Sequence, residues 1–196
     1  NGMTTNDNCV IVGNSAQPSA STGVDNEIVI GKDAAGQGSH TVMLGNSNIT
    51  GLLCYDTSIA SPSDFRIKDN VQDSGLGLDF INALRPVKYQ KKHPSEFPEE
   101  IREARWAETT VTHGGADGVT EVVPAQVKPA DWQARTEYGL IAQEVKAAMG
   151  AHGAEDWQGH RILPSGMEAL GYGNLVTVLV KSVQELSARV AELEGN

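Results

Sequence analysis

The chain has 196 residues, 39% of them hydrophobic and 5% aromatic, with 21 glycines. That composition favours a partly extended, turn-rich protein over a compact enzyme core. A formal net charge of −10 argues against nucleic acid or an anionic membrane as partner, and no apolar run reaches the ~18 residues of a transmembrane helix. Asn1-Gly2-Met3 lacks the charged and apolar regions of a signal peptide and reads as an internal point of a longer protein. Cys9 and Cys54 lie far apart without a CxxC spacing. They read as small buried thiols in a reducing compartment in preference to a disulfide or metal pair. The five histidines show no HExxH or paired-ligand spacing, so no metal and no cofactor are expected.

Residues 7–48 carry a loose internal repeat. Asp7-Asn8-Cys9-Val10-Ile11-Val12-Gly13-Asn14 is followed by Asp25-Asn26-Glu27-Ile28-Val29-Ile30-Gly31-Lys32 and by Ser39-His40-Thr41-Val42-Met43-Leu44-Gly45-Asn46. Each unit is a polar pair, a strand-like aliphatic run, and a glycine that permits a bend. Units this short bury no core alone and must stack on neighbours. An intertwined homotrimeric β-stalk supplies a shared interior; a monomeric solenoid or small sheet is the alternative. The pattern resembles the β-rich stalks of phage tail fibres and trimeric adhesins.

Residues 49–62 form a connector in which Leu52, Leu53 and Tyr55 are available to pack, while Ser58 to Ser63 is small, polar and carries Pro62. Such a segment is accessible, as a scissile loop must be. Beyond it, Leu76, Phe80, Ile81 and Leu84 share a helical face, with Ser74 as cap and Arg85-Pro86 as terminator. Val87-Lys88-Tyr89-Gln90-Lys91 alternates as a strand. Residues 93–136 read as an insertion: a short acidic helix through Trp106, then a hairpin from Thr109–Thr112 to Val119–Val123 turning at Asp117-Gly118. Tyr138 ends a short strand, and Leu140, Ile141, Val145 and Met149 form a helix face closed by Gly150 as C-cap.

The last helix runs from about Tyr172 to Glu194. Val176, Val183 and Val190 recur every seven residues, with Leu179, Leu186 and Leu193 offset by three. This is an a/d seam with Val at a and Leu at d. Those side chains by themselves favour a parallel dimer; the upstream repeats point to three strands.

Four segments in order carry a family resemblance. Ser63-Asp64-Phe65-Arg66-Ile67-Lys68-Asp69-Asn70 resembles the opening of the C-terminal intramolecular chaperone domain of phage tailspikes, endosialidases and tail fibres. Leu84-Arg85-Pro86-Val87-Lys88-Tyr89 resembles its strand entry, and Tyr138-Gly139-Leu140-Ile141-Ala142-Gln143-Glu144-Val145 its helix. Tyr172-Gly173-Asn174-Leu175 resembles its closing step into a coiled coil.

The repeats and the resemblance, which covers residues 63–196, together give an α+β fold: a trimeric β-rich stalk end over residues 1–62 from the repeats, and, as the resemblance implies, an α+β chaperone domain over 63–196 ending in a long coiled-coil helix (about 172–194). The resemblance implies a chaperone that makes an upstream fibre or tailspike domain fold as a homotrimer in the host cytoplasm, becomes part of a phage virion, and cuts itself off. The family's nucleophile falls on Ser63 and its general base on Lys68; Asp64, Arg66 and Asn70 would hold the loop, with Gln143 and Glu144 in support. A hydroxyl becomes a useful nucleophile when a partly desolvated amine takes its proton. Ser63 Oγ reaches the preceding carbonyl through a five-membered ring, so the expected cut is Pro62–Ser63, with Ser63–Asp64 second. The alternatives are a non-cleaving trimerisation cap of a receptor-binding fibre and a conventional hydrolase, the latter weakened by the lack of a GxSxG elbow and of paired carboxylates.

Overall fold

A computed structural model describes residues 5–56, 59–112 and 120–195. Its elements in chain order are β1 (Thr5–Asp7), β2 (Val10–Val12), β3 (Thr22–Asp25), β4 (Ile28–Ile30), β5 (Val42–Leu44), α1 (Leu78–Ala83), β6 (Val87–Gln90), β7 (Thr109–Thr112), β8 (Thr120–Val123), β9 (Thr136–Gly139), α2 (Ala142–Ala151), β10 (His160–Ile162), β11 (Glu168–Leu170) and α3 (Leu175–Glu194). The mixture is α+β, as expected, and ends in one long helix. The chain divides into two compact units, Asn1–Ile81 with Asn174–Asn196, and Asn82–Gly173.

In the first unit the repeats stack as parallel rungs. Val10, Ile28 and Val42 stand in register, as do Ile11, Val29 and Met43, and Val12, Ile30 and Leu44. A second parallel pair joins β1 to β3. Strand alternation sends Ile11, Val29 and Met43 inward, with Val29 0% exposed, and leaves Val10, Val12, Ile30, Val42 and Leu44 as an uncovered aliphatic face. The bends after the aliphatic runs are made by Gly13, Gly31 and Gly45, all at positive φ. At Gly31 (φ +133°) a Cβ would lie 2.9 Å from the Gly45 Cα, so the rungs approach this closely only without side chains. Glu27 is also 0% exposed. Its carboxylate accepts the N–H groups of Ser19 (3.0 Å) and Gly38 (2.8 Å), donors that the turns would otherwise leave unpaired.

The two cysteines are free, and Cys54 is exposed. The expectation of two buried thiols therefore holds for neither in full: Cys9 is half-buried and donates to the Asp7 carbonyl (3.2 Å). Leu52, Leu53 and Tyr55 are exposed too, against the expectation that they pack, because the connector runs along no core of its own chain. Residues 57–58, the start of the small polar stretch, lie outside the described residues.

α1 begins later than the spacing of Leu76 suggests, and Leu78 joins Phe80 as its buried pair. Ser74 does not cap it: its hydroxyl accepts the Leu76 N–H (3.1 Å), and the Leu78 N–H is taken instead by Glu185 of α3 (2.8 Å). On α3, Val178 and Ser182 are buried. The predicted seam, Val176, Leu179, Val183, Leu186, Val190 and Leu193, is exposed along its length. Tyr172–Asn174 forms a 3-10 turn ahead of the helix.

In the second unit β6 and β9 pair antiparallel, Val87 opposite Gly139 and Tyr89 opposite Glu137. α2 lies against β10 and β11, with Val145, Ala148 and Met149 buried. The expected C-cap at Gly150 falls inside α2, which continues to Ala151; Gly153, at φ +61°, turns the chain. The Leu140 N–H donates to the Tyr172 hydroxyl (2.9 Å), and that hydroxyl occupies the space a Gly139 side chain would need. Two of the four resemblance segments meet there.

The acidic helix expected through Trp106 is three separate 3-10 turns, Pro94–Glu96, Glu99–Ile101 and Ala104–Trp106. Pro94 and Pro98 each remove an amide donor and fix φ, which keeps a continuous helix from forming. His93 caps the first turn and packs edge-on against Trp106 (4.7 Å) and Trp132 (5.2 Å). β7 and β8 pair antiparallel from Thr109 opposite Val123 to Thr112 opposite Thr120, as the hairpin reading expects. Asp117-Gly118 lies outside the described residues.

Candidate functional site

The chain from Ser63 to Asn70 is shaped by one local device. Asp64 is the N-cap of a 3-10 turn, Phe65–Ile67, and its Oδ1 accepts the Arg66 N–H at 2.8 Å. The Arg66 side chain folds back onto the same carboxylate, Nε to Oδ1 at 3.0 Å and Nη2 to Oδ2 at 2.7 Å. This fork holds the Asp64 carboxyl below the usual carboxylate range and raises the guanidinium in turn. Lys68 ends the turn, its N–H donating to the Phe65 carbonyl (3.0 Å).

The turn returns the lysine amine to the serine. Lys68 Nζ donates to Ser63 Oγ at 2.7 Å. Asn70 sits at φ +49°, a left-handed conformation that Asn tolerates, and its N–H donates to Asp69 Oδ1 (3.0 Å), so the chain leaves the turn sharply. The expected burial of Lys68 is not met in the single chain: residues 61–75 are exposed throughout, because a short turn has no core of its own. Phe65, Ile67 and Val71 are exposed with it, an apolar surface that this chain leaves uncovered. Pro62 precedes Ser63 in irregular backbone.

Gln143 and Glu144 belong to the other compact unit. Both are exposed in the first turn of α2. The Glu144 carboxylate grips Arg85 in a bidentate pair, with Nε to Oε2 at 3.1 Å and Nη2 on Oε1, which raises the guanidinium further above its ordinary value. Arg85 reads from sequence only as part of a helix terminator and strand entry, not as a partner of Glu144. Its signal was its place between Leu84 and Pro86, on the strand-entry segment. Glu185 was also missed, hidden as one more acidic residue on a coiled-coil helix. Among the described residues no group of His, Cys, Asp and Glu is arranged to hold a metal, and no helix is long and apolar enough to cross a membrane.

An alcohol with an amine at hydrogen-bond distance, at the start of an exposed turn, is an arrangement suited to nucleophilic attack on the adjoining peptide. Residues 63–115 match the Peptidase_S74 family, the chaperone of endosialidase. The match begins at Ser63 itself, so the Peptidase_S74 segment opens on the serine that the lysine contacts. It takes in α1, β6 and the 3-10 turns around His93. The match takes in the first two of the four motifs, bears out the resemblance to the chaperone domain of endosialidase-type proteins, and supports an intramolecular-chaperone role. No curated protein matches the chain.

Proposed function

We propose that this chain is the C-terminal part of a phage tail fibre or tailspike, in which residues from Ser63 onward act as an intramolecular chaperone. It drives three copies of an upstream β-rich domain to fold together and then releases itself by self-cleavage. The observation that carries the proposal is the 2.7 Å contact between Lys68 Nζ and Ser63 Oγ at the first residue of the family match.

In the reaction, Lys68 first sheds a proton to solvent and then accepts the one on Ser63 Oγ, along the line where it now donates. The Oγ attacks the Pro62 carbonyl carbon, the Pro62–Ser63 C–N bond breaks, and the Ser63 nitrogen leaves as an amine carrying the proton from Lys68. The ester joining Pro62 to the Ser63 oxygen is then hydrolysed by water, restoring the hydroxyl and leaving a carboxylate on Pro62. Asp64, Arg66 and Asn70 keep the turn closed during the attack, where placement of the reacting atoms governs the rate. Glu144 supports the domain through its pair with Arg85, and Gln143 stands beside it in the first turn of α2.

Three copies supply what the single chain lacks. The aliphatic rungs Val10, Val12, Ile30, Val42 and Leu44 and the Val/Leu seam of α3 are both uncovered, and a shared interior would bury both. Covering Phe65 and Ile67 would take water from the turn, and burial favours the neutral form of an amine. Cleavage would thus report completed assembly.

The exposure of Ser63 and Lys68 in the single chain favours a second reading, a trimerisation cap that stays uncut. Denaturing mass analysis separates the two. Wild type is expected to yield fragments 1–62 and 63–196 at a rate independent of concentration once assembled, while Ser63→Ala and Lys68→Ala stay whole. A wild type that remains intact as a folded trimer leaves the uncut cap; variants cut as fast as wild type remove the Ser63–Lys68 pair.

A further inference from the structure

Residues 61–75 are exposed throughout, so burial holds none of them in place. The run is anchored where it enters α1. There the Leu78 N–H donates to Glu185 Oε2 at 2.8 Å, across 107 residues of sequence. Lys181 Nζ stands 3.9 Å from the other carboxylate oxygen, one helical turn before. The approach depends on the residue preceding Leu78. A Cβ on Gly77 would lie 2.5 Å from both oxygens of Glu185, so glycine leaves the space that the carboxylate fills.

On α3, Val178 and Ser182 precede Glu185 by seven and three residues and are buried. These three positions fall on one side of the helix. The exposed Val/Leu seam lies on another side. α3 therefore holds the Leu78 end of the chain leading from Ser63 with one side and leaves the other side exposed.

We infer that Glu185 is a positioning residue that couples assembly of α3 to the geometry of the Ser63–Lys68 turn. This rests on the self-cleavage reading above. When copies pack along the seam, α3 takes a fixed place. The Leu78 N–H, hydrogen-bonded to Glu185, takes its place with it, and the exposed run upstream is anchored at that end.

The experiment compares self-cleavage of full-length wild type, Glu185→Ala, Glu185→Gln and Gly77→Ala, with the mass of each assembly measured by light scattering. Gly77→Ala displaces the carboxylate without altering α3, which guards against a helix variant that merely fails to assemble. Glu185→Ala and Gly77→Ala are expected to cleave about tenfold to a hundredfold more slowly with assembly mass unchanged. Glu185→Gln, which keeps an acceptor oxygen, is expected to cleave at close to the wild-type rate. In a Ser63→Ala background, Glu185→Ala is expected to speed amide exchange over residues 76–80. Equal cleavage rates in wild type and Glu185→Ala overturn the inference and leave self-cleavage standing. So does a Glu185→Gln rate as slow as that of Glu185→Ala, or unchanged exchange. An uncut wild type removes the self-cleavage reading and this inference with it.

Discussion

His93 is 1% exposed, edge-on between Trp106 and Trp132, and burial holds its ring below the usual histidine range. Lys128 and Arg105 add to that lowering, and Glu96 opposes it. The folded state therefore binds a proton on this ring less readily than the unfolded chain, which binds one near the ordinary value of 6.5. The stability contributed is fully present above that value and falls as pH drops below it, by at most about 1.4 kcal/mol per pH unit. Tryptophan-monitored denaturation between pH 7 and pH 5 should show the decline, and His93→Gln should flatten it. Glu96 and Glu137 are held below the ordinary carboxylate value of 4.5 by Lys128 and Lys91 and contribute losses only in more acid solution, so the two windows separate. At this scale Ser63 and Lys68 were legible because the contact closes within one turn. Arg85 with Glu144, and Leu78 with Glu185, were not, because each pair joins segments far apart in sequence and neither partner marks the other.

Between elements, what sequence revealed followed from periodicity. The aliphatic runs ending at Gly13, Gly31 and Gly45 became parallel rungs, since alternation and a side-chain-free bend specify a strand and its end. The acidic helix gives way to separate 3-10 turns because Pro94 and Pro98 break it. The Gly150 cap failed because Gly153 offered the left-handed turn three residues later. The heptad on α3 forms an apolar stripe on one long helix, and its exposure in the single chain gives a test of the seam reading. Replacing one seam leucine by a charge, Leu186→Asp, should leave α3 helical while weakening self-association at least about tenfold, a loss of the size expected when a charge enters an apolar seam. Sedimentation of wild type and variant at matched concentration reads the difference.

At the scale of the whole molecule, cleavage at Pro62–Ser63 would separate the folded shaft from the part that guided it. The uncut chain can retrace its route; the cut shaft would persist because its unfolding is slow and its refolding aid is gone. Wild type taken through denaturant after cleavage should fail to regain the mass it had before, whereas Ser63→Ala should recover it on dilution. The glycine column bears on a different question. Gly13 stacks on Gly31 and Gly31 on Gly45, in the strand order β2–β4–β5. A duplicated rung could enter this ladder at the usual interstrand step of about 4.8 Å without disturbing the others, provided Glu27 kept its own pair of amides. Reach is then a quantity that descendants of such a chain could lengthen or shorten by copying, with the folding apparatus downstream unaltered.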